Sequence, residues 1–254
     1  MRYRHTKTFK LFPLLMVSLG LISAFKARAT ETLAPVSGFA RSFISDANIT
    51  DATITILETG QQIKTDNRGQ FGPILYPVGK PITLILEKWG YTTTQSASII
   101  VPQGGLTGRY NNISFQVPSV EAYFLLTAII RPKIDKNSCH LATTMTAFQK
   151  TMDDIPQGEA GTTITIEPNV NHEPPFYFDI FSDGPLKGKT NPFTKGLTQT
   201  SEDGGVLIFN LPPRDEPYTL SARKAGVEFS RVQFICRKDA FINLSPPQGP
   251  MANS

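Results

Sequence analysis

The strongest chemical signal in the 254-residue sequence is a pair of cysteines, Cys139 and Cys236. In an oxidising compartment such a pair is ordinarily bridged. A closed loop of close to 100 residues corresponds to on the order of 4–5 kcal/mol of stabilisation by chain entropy. No Cys-x-x-Cys redox spacing is present, so the expectation is a structural disulfide joining early and late strands of the second half. His140 and His172, the two histidines past residue 29, are far apart in the chain, whereas a catalytic zinc commonly takes three protein ligands. Asp153-Asp154 and Asp183-Gly184 lack the ligand density of a hard-cation loop and suit solvated turns. There is no Gly-x-Ser-x-Gly elbow and no phosphate-cradling loop. The residues therefore predict no catalytic group, no metal and no cofactor.

Binding has more support. Lys187, Lys189, Phe193 and Lys195 fall in a basic segment of a long connection, directly after Pro174-Pro-Phe-Tyr-Phe178. Long loops on a rigid scaffold are where recognition concentrates. The simpler reading is a solvated loop with Phe193 as a buried anchor and an aromatic core strand before it. Trp89 and Tyr91 form a second candidate patch, for which core packing is again the simpler reading.

Composition limits the remaining classes. The apolar fraction is 40% and the charged fraction 18%, too apolar and too weakly charged for a disordered chain. The formal charge of +4 is misleading. Basic residues Arg2 to Lys10 precede the apolar run Leu11–Ala24, and Ala27-Arg-Ala29 follows as a small-x-small signal. That order predicts a secretory signal peptide over residues 1–29, with an apolar run short of the roughly 20 residues needed to span a bilayer. The leader holds six basic residues and no acid, so the remainder carries nineteen basic and twenty-one acidic residues, a net of −2. No electrostatic footprint for nucleic acid remains. The expectation is an exported protein, periplasmic or extracellular, without a transmembrane segment after cleavage.

The elements that must position these residues read as short strands. Ala52-Thr-Ile-Thr-Ile-Leu57 alternates with period two. The pattern returns as Thr162-Thr-Ile-Thr-Ile166. Thr65-Asp-Asn-Arg-Gly-Gln-Phe71 matches Thr200-Ser-Glu-Asp-Gly-Gly-Val206, and Pro81-Ile-Thr-Leu matches Pro217-Tyr-Thr-Leu. Two copies of one β unit follow. Between them Ser119 can cap a helix that Pro132 stops. Because that segment is apolar nearly all round, it is expected to lie wedged between the copies.

The first copy resembles the carboxypeptidase regulatory-like domain. The matching residues are Val36-Ser-Gly-Phe-Ala-Arg41, Ile49–Ile56, Thr65–Phe71 and Leu84-Ile-Leu-Glu-Lys-Trp-Gly-Tyr91. The resemblance implies an all-β fold of two tandem transthyretin-like Greek-key β-sandwiches, at 34–118 and 134–247, joined by a helical linker at 119–133. Residues 248–254 read as a flexible tail. Such domains are accessory modules of secreted proteins, which implies a binding or scaffolding role toward a protein or glycan partner in the envelope. Two alternatives stay open. One is a secreted hydrolase, or its accessory subunit, with a site at the junction of the domains; the other is a purely structural spacer.

Overall fold

In the computed structural model, residues 31–253 are described; the expected leader at 1–29 lies outside them. The first half contributes β1 (Leu33–Ser42), β2 (Thr53–Ile56), β3 (Gln62–Lys64), β4 (Gln70–Pro77), β5 (Pro81–Glu87), β6 (Thr94–Ile100) and β7 (Ile113–Val117). Helix α1 (Val120–Ile130) follows. The second half contributes β8 (Cys139–Thr144), β9 (Thr163–Glu167), β10 (Phe176–Tyr177), β11 (Asp179–Ile180), β12 (Thr190–Asn191), β13 (Gly205–Leu211), β14 (Tyr218–Arg223), β15 (Val232–Phe234) and β16 (Phe241–Leu244). The fold is all-β apart from α1 and one short 3-10 turn.

Each half has its own core. Sheet β4-β1-β7 faces the β5-β2 end of a larger sheet across Val36, Phe71, Phe115, Ile54 and Leu84. Sheet β15-β14-β9 faces the other end across Leu141, Ile208, Leu220, Phe234 and Ile242. Each such side chain contributes roughly 1.5–3 kcal/mol when fully buried. The Cys139–Cys236 disulfide lies in the second core, as its spacing suggested.

The repeat read from the sequence is visible as a duplicated hydrogen-bond circuit. The Gly69 carbonyl accepts from Ala40 N at 2.8 Å, and the Gly204 carbonyl accepts from Met145 N at 2.8 Å. The Ala40 carbonyl accepts from Ile49 N, and the Met145 carbonyl from Glu159 N. The Thr65 hydroxyl donates to the Ile49 carbonyl (2.7 Å) and accepts from Ala52 N (2.8 Å). The Thr200 hydroxyl does the same between the Glu159 carbonyl (2.6 Å) and Thr162 N (2.9 Å). Both threonines are buried, so beside the main-chain bonds Thr65 N to Ala52 O and Thr200 N to Thr162 O each hydroxyl serves one further backbone carbonyl and one further N–H. Gly69 and Gly204 both have positive φ, and a Cβ on either would meet the Ala40 or Met145 carbonyl at 2.7 or 2.6 Å. Only glycine satisfies both demands.

The halves meet through strand pairing. The large sheet runs β10-β13-β8-β16-β6-β5-β2-β3, and β16 lies parallel to both β8 and β6. A polar seam completes the joint. Gln95 Nε2 donates to the Ile235 carbonyl (2.8 Å), Ala97 N to Gln248 Oε1 (3.2 Å), and Gln248 Nε2 to the Ser114 carbonyl (2.5 Å). Residues 31–254 accordingly form one compact unit.

Two expectations are corrected here. Helix α1 is not wedged between the halves. The β6–β16 pairing leaves no gap to fill, so α1 lies across the outer face of the sheet, over Leu207, Phe209 and Phe241. Tyr123, Leu126 and Ile130 face inward, Tyr123 edge-on to Phe241 at 5.4 Å, while Phe124 is 72% exposed. The helix boundaries match their signals: the Ser119 hydroxyl accepts from Ala122 N, and Arg131 closes the helix in the left-handed region before Pro132. The tail after residue 247 is not loose. Ala252 N donates to the Thr146 carbonyl, Thr146 N to the Pro250 carbonyl, and Gln248 and Ala252 are buried.

Candidate functional site

The long connection of the second half is a folded flap. Strand β10 adds to the edge of the large sheet beside β13, and β11 pairs with β12 around the 3-10 turn Gly184–Leu186. Side chains tie it down. Thr194 Oγ1 donates to Asp179 Oδ2 (3.0 Å), Ser201 Oγ to the Phe178 carbonyl (2.9 Å), and Thr190 Oγ1 to Asp203 Oδ2 (2.6 Å). Phe181 and Phe193 pack at 6.3 Å between ring centroids.

Between this flap and α1 runs an open cleft of about 360 Å³. Leu125 enters from α1, Leu186 and Phe193 from the flap, Ile44 from the turn after β1, and Ile155 from the turn after β8. All five are more than half exposed. Scattered exposed aliphatics are normal, but five around one depression make it the candidate interaction surface. The Ile155 turn is held to the first half by Arg41, whose Nη1 lies 2.6 Å from Asp153 Oδ1. Asp154 Oδ2 accepts from Thr151 N and Oγ1 in the same turn.

Asp203 also lines the cleft. Its carboxylate accepts from Gly205 N (2.9 Å) and Thr190 Oγ1. Burial outweighs these bonds and pushes the carboxyl up to about 6, helped slightly by the charge of Asp179. Among the described residues it has no ion-pair partner within 4.0 Å. Asp46 and Lys189 are the other charged residues in the lining.

The anticipated binding residues separate here. Lys189 and Phe193 line the cleft, while Lys187 and Lys195 are exposed on the flap outside its lining. Phe193 is not the buried anchor that the simpler reading supposed, whereas Tyr177 and Phe178 before it are buried as expected. Tyr91 packs against the first core. Trp89 does not: it is 95% exposed at the apex of the β5–β6 turn, where Gly90 takes positive φ. Trp89 does not line the cleft. His140 is buried in β8 with Nδ1 accepting from Asn210 N (3.2 Å) and Nε2 without a partner. Burial lowers its pKa against the pull of Asp239 and Asp135. His172 bonds its neighbour's carbonyl through Nδ1. Neither histidine lines the cleft.

Sequence reasoning passed over Ile44, Leu125, Ile155, Leu186 and Asp203. A signal was present: Ile155 and Leu186 are large aliphatics inside turn-forming runs, Asp153-Asp-Ile-Pro156 and Asp183-Gly-Pro-Leu186. Such residues gain nothing in a solvated turn unless something covers them.

No family model matches the chain, and no curated protein matches it. Among solved structures it is similar to the Bacillus anthracis TIE protein at 17% identity and a TM-score of 0.26. That match covers 85% of this chain but only 34% of the other, so the chain spans about a third of that protein. The shaft pilin SpaA of Lactobacillus rhamnosus GG, in a double mutant form, matches at 12% identity over 88% of this chain and 99% of that one, with a TM-score of 0.26. The major pilin of Streptococcus pyogenes matches at 10% identity over 88% and 97%, with a TM-score of 0.19. TM-scores this low establish no common topology.

Proposed function

We propose that this is an exported, non-catalytic binding protein of the cell envelope or extracellular space, built on two transthyretin-like sandwiches and recognising its partner through the cleft between α1 and the flap. The observation that carries the proposal is the ring of five exposed apolar side chains around one depression. An apolar centre with a polar rim is the anatomy of a recognition surface. The non-catalytic part rests on the lining described, which sets a single desolvated carboxyl, Asp203, among apolar side chains with neither histidine beside it. Export rests on the leader-like sequence and on a disulfide of the kind that persists in oxidising compartments. Between the partner classes the sequence left open, the aliphatic lining favours a protein over a glycan, since glycan sites need many convergent polar groups.

The test is a retention assay on native envelope fractions. The double variant Leu125→Ser/Phe193→Ser should lose retention at least tenfold, the loss expected when central apolar anchors are truncated. Leu75→Ser, an exposed position on β4, should bind as wild type. Equal retention of all three proteins would remove the cleft from the function.

A further inference from the structure

We propose that the cleft receives an extended segment of a partner protein in which one basic side chain is set among apolar ones, the base pairing with Asp203. This rests on the cleft being the binding surface and adds the chemistry of its occupant.

Two observations carry it. The first is the isolation of Asp203. A carboxylate removed from water is stable only when paired or richly hydrogen-bonded. Asp203 has two neutral donors, Gly205 N and Thr190 Oγ1, and no cation in contact among the described residues. Each oxygen keeps a free acceptor position. The charged groups facing it are Asp179 on β11, Asp46 on the turn after β1 and Lys189 on the flap. Helix α1 and the Ile155 turn contribute no charge to the lining. The acids outnumber the single base, so the site as it stands carries a net negative charge.

The second observation is the shape of the site. About 360 Å³ lies at the small end of ligand pockets, which enclose most of what they bind. Here Ile44, Leu125, Ile155, Leu186 and Phe193 stand around the rim, more than half exposed. A small molecule filling the depression would touch their inner faces and leave the outer, solvent-facing parts uncovered. A peptide segment can insert one side chain and lay apolar neighbours over the rim. A lysine or arginine suits the inserted position, because its aliphatic stem packs on Leu125 and Phe193 while its head reaches the carboxylate.

The turn-capping role of Asp203 does not account for its setting. In the first half the turn is capped by Asp66, which accepts from Arg68 N and Gln70 N, both at 2.8 Å, in open solvent; the counterpart of Asp66 is Ser201, whose Oγ accepts from Asp203 N at 3.1 Å, so Asp203 stands where the first half has Arg68. Capping alone needs no roof.

The experiment is selection of a displayed library of random dodecapeptides on the immobilised chain at pH 7.5, followed by binding measurements on the enriched peptides. The expected result is enrichment of sequences with one Lys or Arg among large apolar residues. Their binding should weaken at least tenfold in Asp203→Asn, in line with loss of one partner of a partly buried charge pair. Replacing the peptide's base by norleucine should cost a similar factor, and the two losses should not add. Binding to wild type should also weaken about tenfold per pH unit below about 6, as Asp203 is protonated. This titration needs no variant, so misfolding of Asp203→Asn cannot remove the test. Enriched peptides without a base, bound equally by Asp203→Asn and abolished by Leu125→Ser/Phe193→Ser, would overturn the basic occupant while leaving the cleft as binding surface. Peptides indifferent to Leu125→Ser/Phe193→Ser, or no enrichment at all, would overturn both.

Discussion

The same turn occurs twice in this chain and does two different jobs. Asp66-Asn-Arg-Gly69 and Ser201-Glu-Asp-Gly204 occupy equivalent places in the duplicated circuit, each ending in a positive-φ glycine against the next strand's carbonyl. In the first half no described segment lies over the turn, and Asp66, Asn67 and Arg68 are exposed. Asp66 stays in water, and two backbone N–H groups, from Gln70 and Arg68, hold its carboxyl below the ordinary value. In the second half the flap of residues 176–197 crosses the turn and Thr190 bonds to Asp203. Burial then moves that carboxyl the opposite way, to about 6. The same hydrogen-bond circuit recurs in both halves, and the flap, together with α1, lies over the second one only, where the proposed site is. The core is common to both copies, and what distinguishes them is what was laid on top.

The disulfide marks the largest difference between the copies, since only the second is stapled. Replacing Cys139 and Cys236 by serine should cost on the order of 4–5 kcal/mol in chemical denaturation. Hydrogen exchange should show lost protection in β8, β13 and β15 before β1, β4 and β7. Uniform loss would mean that the β6–β16 seam makes the two halves one cooperative unit.

The two aspartates should give opposite pH dependences. A raised folded pKa means that the folded state holds its proton more tightly. The contribution of Asp203 is therefore fully present below about 4 and is lost as pH rises through about 6. Asp203→Asn should gain relative to wild type over that window, by up to ~3 kcal/mol. Asp66 has a lowered pKa, so its contribution is present above about 4 and lost as pH falls below that. Asp66→Asn should therefore lose relative to wild type at neutral pH and converge with it in acid. Melting series from pH 2 to 7.5 distinguish these outcomes, and parallel curves for the two variants would contradict the account.

Thr65→Val and Thr200→Val should each cost about 1–3 kcal/mol, because each leaves a buried carbonyl and N–H without the bridging hydroxyl. Similar costs would confirm that the circuit is duplicated energetically as well as geometrically. The smallest effect is expected for Arg41→Ala, which removes the partly exposed contact to Asp153. It should cost under ~1 kcal/mol and shrink in high salt.

The parts of this molecule legible from sequence were those fixed by local rules. Strand alternation at Thr53–Ile56, the turn glycines, the Ser119 cap and the cysteine pair each depend on a few neighbouring residues or on chain redox chemistry. The repeat was legible because both copies keep the threonine and the glycine that complete the circuit. The site was legible only in part. Phe193 and Lys189 stood out through loop composition, but Ile44, Leu125 and Ile155 come from three other segments and meet only in the fold. The setting of α1 departs from its local pattern, because an all-round apolar character points to burial on every side, whereas the β6–β16 pairing, which no local pattern reveals, joins the halves directly and leaves the outer side of α1 exposed. Trp89 illustrates the same limit, an aromatic beside a strand that the turn at Gly90 carries outward.

The central claim is that recognition belongs to the roofed copy. A photo-reactive phenylalanine analogue at position 193, compared with one at position 89, tests it most directly. Residue 89 is the more exposed of the two, 95% against 60%, so chance collisions favour it. The account predicts a discrete cross-linked adduct in native envelope from position 193 and none from position 89. An adduct from position 89 alone, or equal adducts from both, would contradict it.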